Sequence, residues 1–111
     1  MEEIKTIEES INALRKAESP HVIADLRLEL AGWKTWLGSR LVDAEMIYNG
    51  ELNRVMTEQD LPAAKAKIMI NAGDKYKEYA RFKQLYKDVQ TVIGAARSKL
   101  MVLEEERRTY N

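Results

Sequence analysis

Leu26, Leu30, Trp33, Leu37, Leu41, Ala44, Tyr48, Leu52 and Val55 follow one another at spacings of 4, 3, 4, 4, 3, 4, 4 and 3 residues. This is an eleven-residue period, which keeps one apolar face in line along a nearly straight helix. A second uncharged row, Ala24, Leu28, Ala31, Thr35, Gly38, Val42, Met46 and Asn49, falls on the opposite side of the same segment. A helix apolar on two opposite faces must be covered on both, and one partner helix covers only one. The pattern therefore predicts a bundle or an oligomer built around this helix.

Ser19 and Pro20 mark its start, because a serine at the cap position accepts from the unpaired amides and proline fits the first helical position. The periodicity carries it from residue 20 to about residue 56, through Asn49-Gly50, the dipeptide best able to end it early. Upstream, Ile4, Ile7, Ile11 and Leu14 repeat by 3, 4 and 3 and predict a short helix over residues 2–18 with one narrow apolar stripe. Thr57-Glu58-Gln59-Asp60-Leu61-Pro62 reads as a turn.

From about residue 62 to 107, Ile68, Ala72, Tyr79, Phe82, Tyr86, Val89, Ile93, Ala96, Leu100 and Leu103 hold one side, with a heptad seam from Tyr79 onward. Asn71-Ala72-Gly73-Asp74 is the point where this third helix can break, with Asp74 as a new cap. The long helices, of about 37 and 46 residues, would span roughly 55 and 69 Å at ~1.5 Å per residue. Joined by a short turn, they predict an all-α fold: a long, coiled-coil-like antiparallel hairpin. The first helix is expected to fold back at the open end, against Leu85, Val92 and Leu103. With 111 residues, this is the content of one domain spanning residues 1–111.

Charge adds a polarity to this picture. The net charge is zero, but residues 1–60 carry 7 basic and 12 acidic side chains and residues 61–111 carry 11 and 6, so the halves are complementary. Such flanks set helix orientation across a hairpin. The absence of cysteine excludes disulfides and thiolate chemistry, and no run of residues approaches the length of a membrane span. No secretory leader pattern opens the chain, and a cytoplasmic location with no membrane partner is expected.

Catalytic and metal-binding patterns are missing. His21 is the only histidine, and Glu18-Ser19-Pro20-His21 matches the Glu-x-x-His spacing of di-iron bundles once, split by a proline, where two pairs within helices are required. The Glu-x-x-Glu and Glu-x-x-Asp pairs with which helical nucleotide pyrophosphatases hold magnesium do not occur. Glu104-Glu105-Glu106 fans around a helix and cannot converge on an ion. There is no G-x-S-x-G elbow and no phosphate-binding glycine loop. The expected protein is non-enzymatic, with no catalytic residue, no cofactor, no metal and no small-molecule substrate.

What does stand out is surface. Ala24, Leu28, Ala31, Thr35, Gly38, Val42 and Met46 form the candidate interface for a second copy or another protein, with the small residues permitting close approach. An antiparallel dimer of two hairpins is the expected assembly. Trp36 and Ile47, on the shoulder of the seam, are candidate partner anchors. The alternative reading lies at residues 75–87, where five basic side chains alternate with four aromatics, a mixture that binds single strands through phosphate pairing and stacking. Helical phase turns Tyr79, Phe82 and Tyr86 into the seam. That leaves Tyr76, Lys77, Arg81, Lys83 and Lys87 as the candidate nucleic-acid contacts.

The C-terminal half, with Tyr76, Tyr79-Ala80, Leu85, Val89, Val92-Ile93, Leu100 and Leu103-Glu104-Glu105-Glu106-Arg107, resembles small helical proteins of unassigned role in tailed-phage genomes. The resemblance covers about the last 50 residues. It implies an accessory, adaptor or replication-associated role, or inhibition of a host protein, and carries no functional residue with it.

Overall fold

A computed structural model of the chain describes residues 2–110. These form four helices, α1 (Glu2–Lys16), α2 (Pro20–Glu58), α3 (Ala63–Ile70) and α4 (Asp74–Tyr110), and no strand among the described residues. The all-α hairpin of two long helices with a short N-terminal helix is thus the fold that the apolar spacing predicts. The chain divides into two compact units, Met1–Trp36 with Lys87–Asn111, and Leu37–Tyr86.

In the first unit three helical segments share a core. The stripe of α1 (Ile4, Ile7, Ile11 and Leu14) is buried, together with Ile23 and Leu30 of α2 and Val89, Val92 and Ala96 of α4. A helix as short as α1 is marginal alone in water, so this burial is what holds it. Polar contacts fix its placement: the Ser10 hydroxyl donates to Glu29 at 3.3 Å, and the Lys99 ammonium donates to the carbonyl of Ala17 in the link to α2. Leu14 and Arg15 border a hollow with Val92 and Ala96. Of the residues expected to receive α1, Val92 lies beside Leu14, Leu103 is half-buried, and Leu85 belongs to the core of the other unit.

α2 starts where the sequence predicts, though the Ser19 side chain makes no cap hydrogen bond among the described residues. Pro20 is its first residue, and the carbonyl of Ser19 accepts from the Ile23 amide at 3.0 Å.

The second unit is an antiparallel pair. Gly38 of α2 lies near Tyr86 of α4, Tyr48 meets Tyr79 and Tyr76, and Glu51 meets Lys75, so numbers rise along one helix as they fall along the other. Leu37, Ala44, Val55, Phe82 and Leu85 are buried here with Ala66 of α3. α2 passes through Asn49-Gly50 unbroken, and neither residue has a positive φ.

α2 stops two residues later than the periodicity suggests. Asp60 takes the left-handed conformation (φ 50°), and the Leu61 amide reaches back to the Met56 carbonyl at 3.2 Å. That is the six-to-one bond of a Schellman ending, with Asp tolerating the backbone position that glycine usually fills.

The continuous helix expected over residues 62–107 is corrected. It breaks at residues 71–73 into α3 and α4, where the Gly73 amide donates to the Ile70 carbonyl at 3.0 Å. Gly73, and not Asp74, occupies the cap position of α4, since its carbonyl accepts from the Lys77 amide, and Asp74 supplies negative charge to the first turn. The break also resets helical phase. Ile68 and Ala72, expected on the buried side, are exposed, with Ile68 at 75%, and Ala66 is the residue of α3 that enters the core.

One substitution at two glycines should therefore act with opposite signs. A β-carbon at Gly50 meets nothing within 4 Å, so Gly50→Ala should stabilise by about 0.5–1 kcal/mol through helix propensity alone. A β-carbon at Gly73 falls 3.3 Å from the backbone oxygen of Ile70, which has little room to give, so Gly73→Ala should destabilise. Leu30→Ala, which empties a fully buried site, should cost about 2–5 kcal/mol. Urea denaturation followed by circular dichroism measures all three.

Candidate interaction surface

The seam of α2 is buried or half-buried from Leu26 to Val55, and the row opposite it is largely open. In the first unit Ala24, Leu28, Ala31 and Thr35 are exposed, Leu28 at 76%. Leu28 stands over a hollow of about 340 Å³ bordered by Ala24, Arg27, Ala31 and Ile93 of α4. In the second unit Val42 (56% exposed) and Met46 (69%) continue the row. Gly38 departs from it, being half-buried, with its α-carbon facing the Tyr86 ring so that a β-carbon there would sit 3.6 Å away. Exposed single hydrophobics are ordinary; here Leu28, Val42 and Met46 are three on one helix.

The two candidate anchors differ. Ile47 is 55% exposed. Trp36 is half-buried and packs edge-on against Trp33, with ring centroids 5.7 Å apart and planes at 88°, so its indole already has a partner inside its own unit.

Residues 75–87 take the disposition that helical phase predicts, with one addition. Phe82 is buried, and Tyr79 and Tyr86 are half-buried. Tyr76, expected at the margin, is also half-buried, because it leans on Tyr48 at 5.7 Å between centroids while Tyr48 stacks on Tyr79 at 5.3 Å with planes 7° apart. The aromatic faces are thus engaged with one another. Lys77, Arg81, Lys83 and Lys87 are exposed, and the ammonium of Lys83 lies 5.8 Å from the centre of the Tyr79 ring, within cation–π range.

A polar cluster that apolar periodicity does not display lies where α2 nears its end. Arg54 holds Glu51 with two nitrogens, at 2.6 and 3.2 Å, and reaches Glu58 at 2.7 Å, while Lys75 of α4 reaches the same Glu51 carboxylate at 3.2 Å. The spacing Glu51-x-x-Arg54-x-x-x-Glu58 is the one signal that could have revealed it, since residues three and four apart meet on a helix. The Arg54 and Lys75 hydrogen bonds hold the Glu51 carboxyl well below its ordinary range, at about 2, and the carboxylates in turn raise the Arg54 guanidinium. Beside this cluster the Tyr48 hydroxyl donates to Asn71 Oδ1 at 2.9 Å. Burial, helped by the neighbouring Tyr76 and Tyr79, pushes its pKa up.

Together Tyr48, Glu51, Arg54, Val55, Met69, Ile70 and Tyr76 border an open cleft of about 460 Å³ in the second unit. Glu51, Arg54 and Lys75 on its rim are paired with one another. Among the described residues no group of three or more His, Cys, Asp or Glu side chains converges to hold a metal, and no helix is long and apolar enough to cross a membrane. His21 is exposed at the start of α2. No protein family model, curated protein or solved structure matches the chain.

The Glu51 network makes a pH prediction. Its carboxyl titrates at about 2 in the folded chain against an ordinary 4.5, so its stabilising contribution is complete above pH 4.5 and is lost as the pH falls toward 2. Glu51→Gln should flatten the stability profile over that window while leaving the slope at higher pH unchanged. Denaturant midpoints measured from pH 2 to 6 for both proteins give the comparison, and superimposable acid limbs would show the network to be without effect.

Proposed function

We propose that the chain is a non-enzymatic helical interaction protein that associates with a second copy of itself through the open face of α2. The observation that carries this reading is the exposure of Leu28, Val42 and Met46 on the helix whose other face is the hairpin core. Burying each of these side chains is worth at most about 1.5–3 kcal/mol, enough to drive association when several act together but not a large surplus after its entropic cost. A reversible dimer of moderate affinity is the consequence. An accessory or adaptor role, of the kind the phage-like C-terminal half implies, suits such an assembly.

Nucleic-acid binding through Lys77, Arg81, Lys83 and Lys87 is the competing reading, and the inward turn of the neighbouring aromatics leaves it phosphate contacts without base stacking. Sedimentation equilibrium at about 100 μM should give twice 12.8 kDa. Val42→Glu and Met46→Glu should lower that mass to the monomer's with helicity intact, whereas loss of helicity would assign these residues to the core. Replacing the four basic residues with Gln should change neither mass nor stability. If that variant instead loses a salt-sensitive affinity for DNA that the parent protein possesses, the nucleic-acid reading takes its place.

A further inference from the structure

Two stretches of the second unit carry one pattern with opposite charge. On α2 it reads Val42-Asp43-Ala44-Glu45-Met46-Ile47, and on α3 Ala64-Lys65-Ala66-Lys67-Ile68-Met69. In both, the alanine between the charged residues is buried and the other residues are exposed. Residues four apart lie one above the other on a helix, so Val42 with Met46, and Ala64 with Ile68, form an outward apolar ridge. At about 3.6 residues per turn, Asp43 and Glu45 fall on opposite flanks of the first ridge, and Lys65 and Lys67 on opposite flanks of the second. Residues 41–50 hold no basic side chain and residues 61–70 no acidic one. Among the described residues none of these four charges makes a hydrogen bond or an ion pair.

We propose that α3 of one copy lies on residues 42–47 of α2 in a second copy, with Ile68 covering Val42 and Met46 while Lys65 and Lys67 pair with Asp43 and Glu45. This rests on the self-association just described and names the surface that meets the open face of α2. Ile68 is 75% exposed and Met46 69%, and the contact takes both out of water. Because each ridge carries the same charge on both flanks, opposite charges meet whether the two helices run parallel or antiparallel. Two 42–47 stretches facing each other would set acid against acid, and two α3 helices would set lysine against lysine. In a two-fold dimer the contact is made twice, since each copy offers both ridges.

Charge exchange separates these pairings. Lys65→Glu with Lys67→Glu places acids opposite Asp43 and Glu45, and Asp43→Lys with Glu45→Lys places lysines opposite Lys65 and Lys67. Either double variant should raise the dimer dissociation constant on the order of 10- to 100-fold at low salt. Helicity should not change, because all four positions are exposed. An equimolar mixture of the two variants has only opposite charges facing and should return to the parent dimer mass, with the recovery weakened by salt. The chain carrying all four exchanges should dimerise by itself in the same way. Should an exchanged chain lose helicity, Lys65→Gln with Lys67→Gln should still raise the dissociation constant severalfold. Double variants that dimerise as tightly as the parent, a dimer weakened by the α2 exchange but not by the α3 exchange, or a mixture that stays dissociated while the parent dimerises would overturn this pairing and leave self-association standing. A monomeric parent at about 100 μM would overturn both.

Discussion

A long amphipathic helix has to be covered, and the structure of this chain follows from how much of α2 its own residues can cover. The seam from Leu26 to Val55 is buried or half-buried within the two units, with α1 adding to the core of the first. Ser10 on Glu29 and Lys99 on the Ala17 carbonyl hold α1 in place, so that Ile4, Ile7, Ile11 and Leu14 become core. What these neighbours leave open is the row containing Leu28, Val42 and Met46.

The break at residues 71–73 is the second determinant. It lets α3 tuck Ala66 into the core and rotates Ile68 outward, and it starts α4 in the phase that buries Phe82 and Leu85. Tyr48 secures it from the facing helix, through its bond to Asn71 and its stack on Tyr79. Beside it the Glu51, Arg54 and Lys75 network spans from α2 to α4, though as an exposed ion network it contributes less to stability than the tyrosine packing does.

The helices and the buried faces were legible in the spacing of apolar residues because a helical period is a local property that 30 consecutive residues can display. Pro20 located one boundary for the same reason, through its own backbone chemistry. The Asp60 ending of α2 and the interruption at Gly73 were less legible. Asp60 adopts a conformation that its residue type merely tolerates, and the Asn71-Ala72-Gly73 turn depends on Tyr48, 23 residues away. The open face of α2 was visible as a second apolar row, but the inward tilt of Gly38 toward Tyr86 and the pairing of Trp36 with Trp33 depend on packing that no periodicity expresses. The Glu51 cluster was hidden in a different way, since its third member comes from α4.

The central claim is that the open face of α2 is covered when two chains meet, and methionine reactivity reports on that face directly. Met46 is 69% exposed in the folded chain, and Met101, 62% exposed on α4, provides an internal reference outside the proposed interface. Oxidation of a methionine thioether by peroxide follows its access to solvent, and mass spectrometry resolves the two sites. Raising the protein from about 1 μM to about 100 μM should slow oxidation of Met46 severalfold while leaving Met101 unchanged. Equal reactivity of both residues at both concentrations would contradict the claim and leave this face of α2 in water.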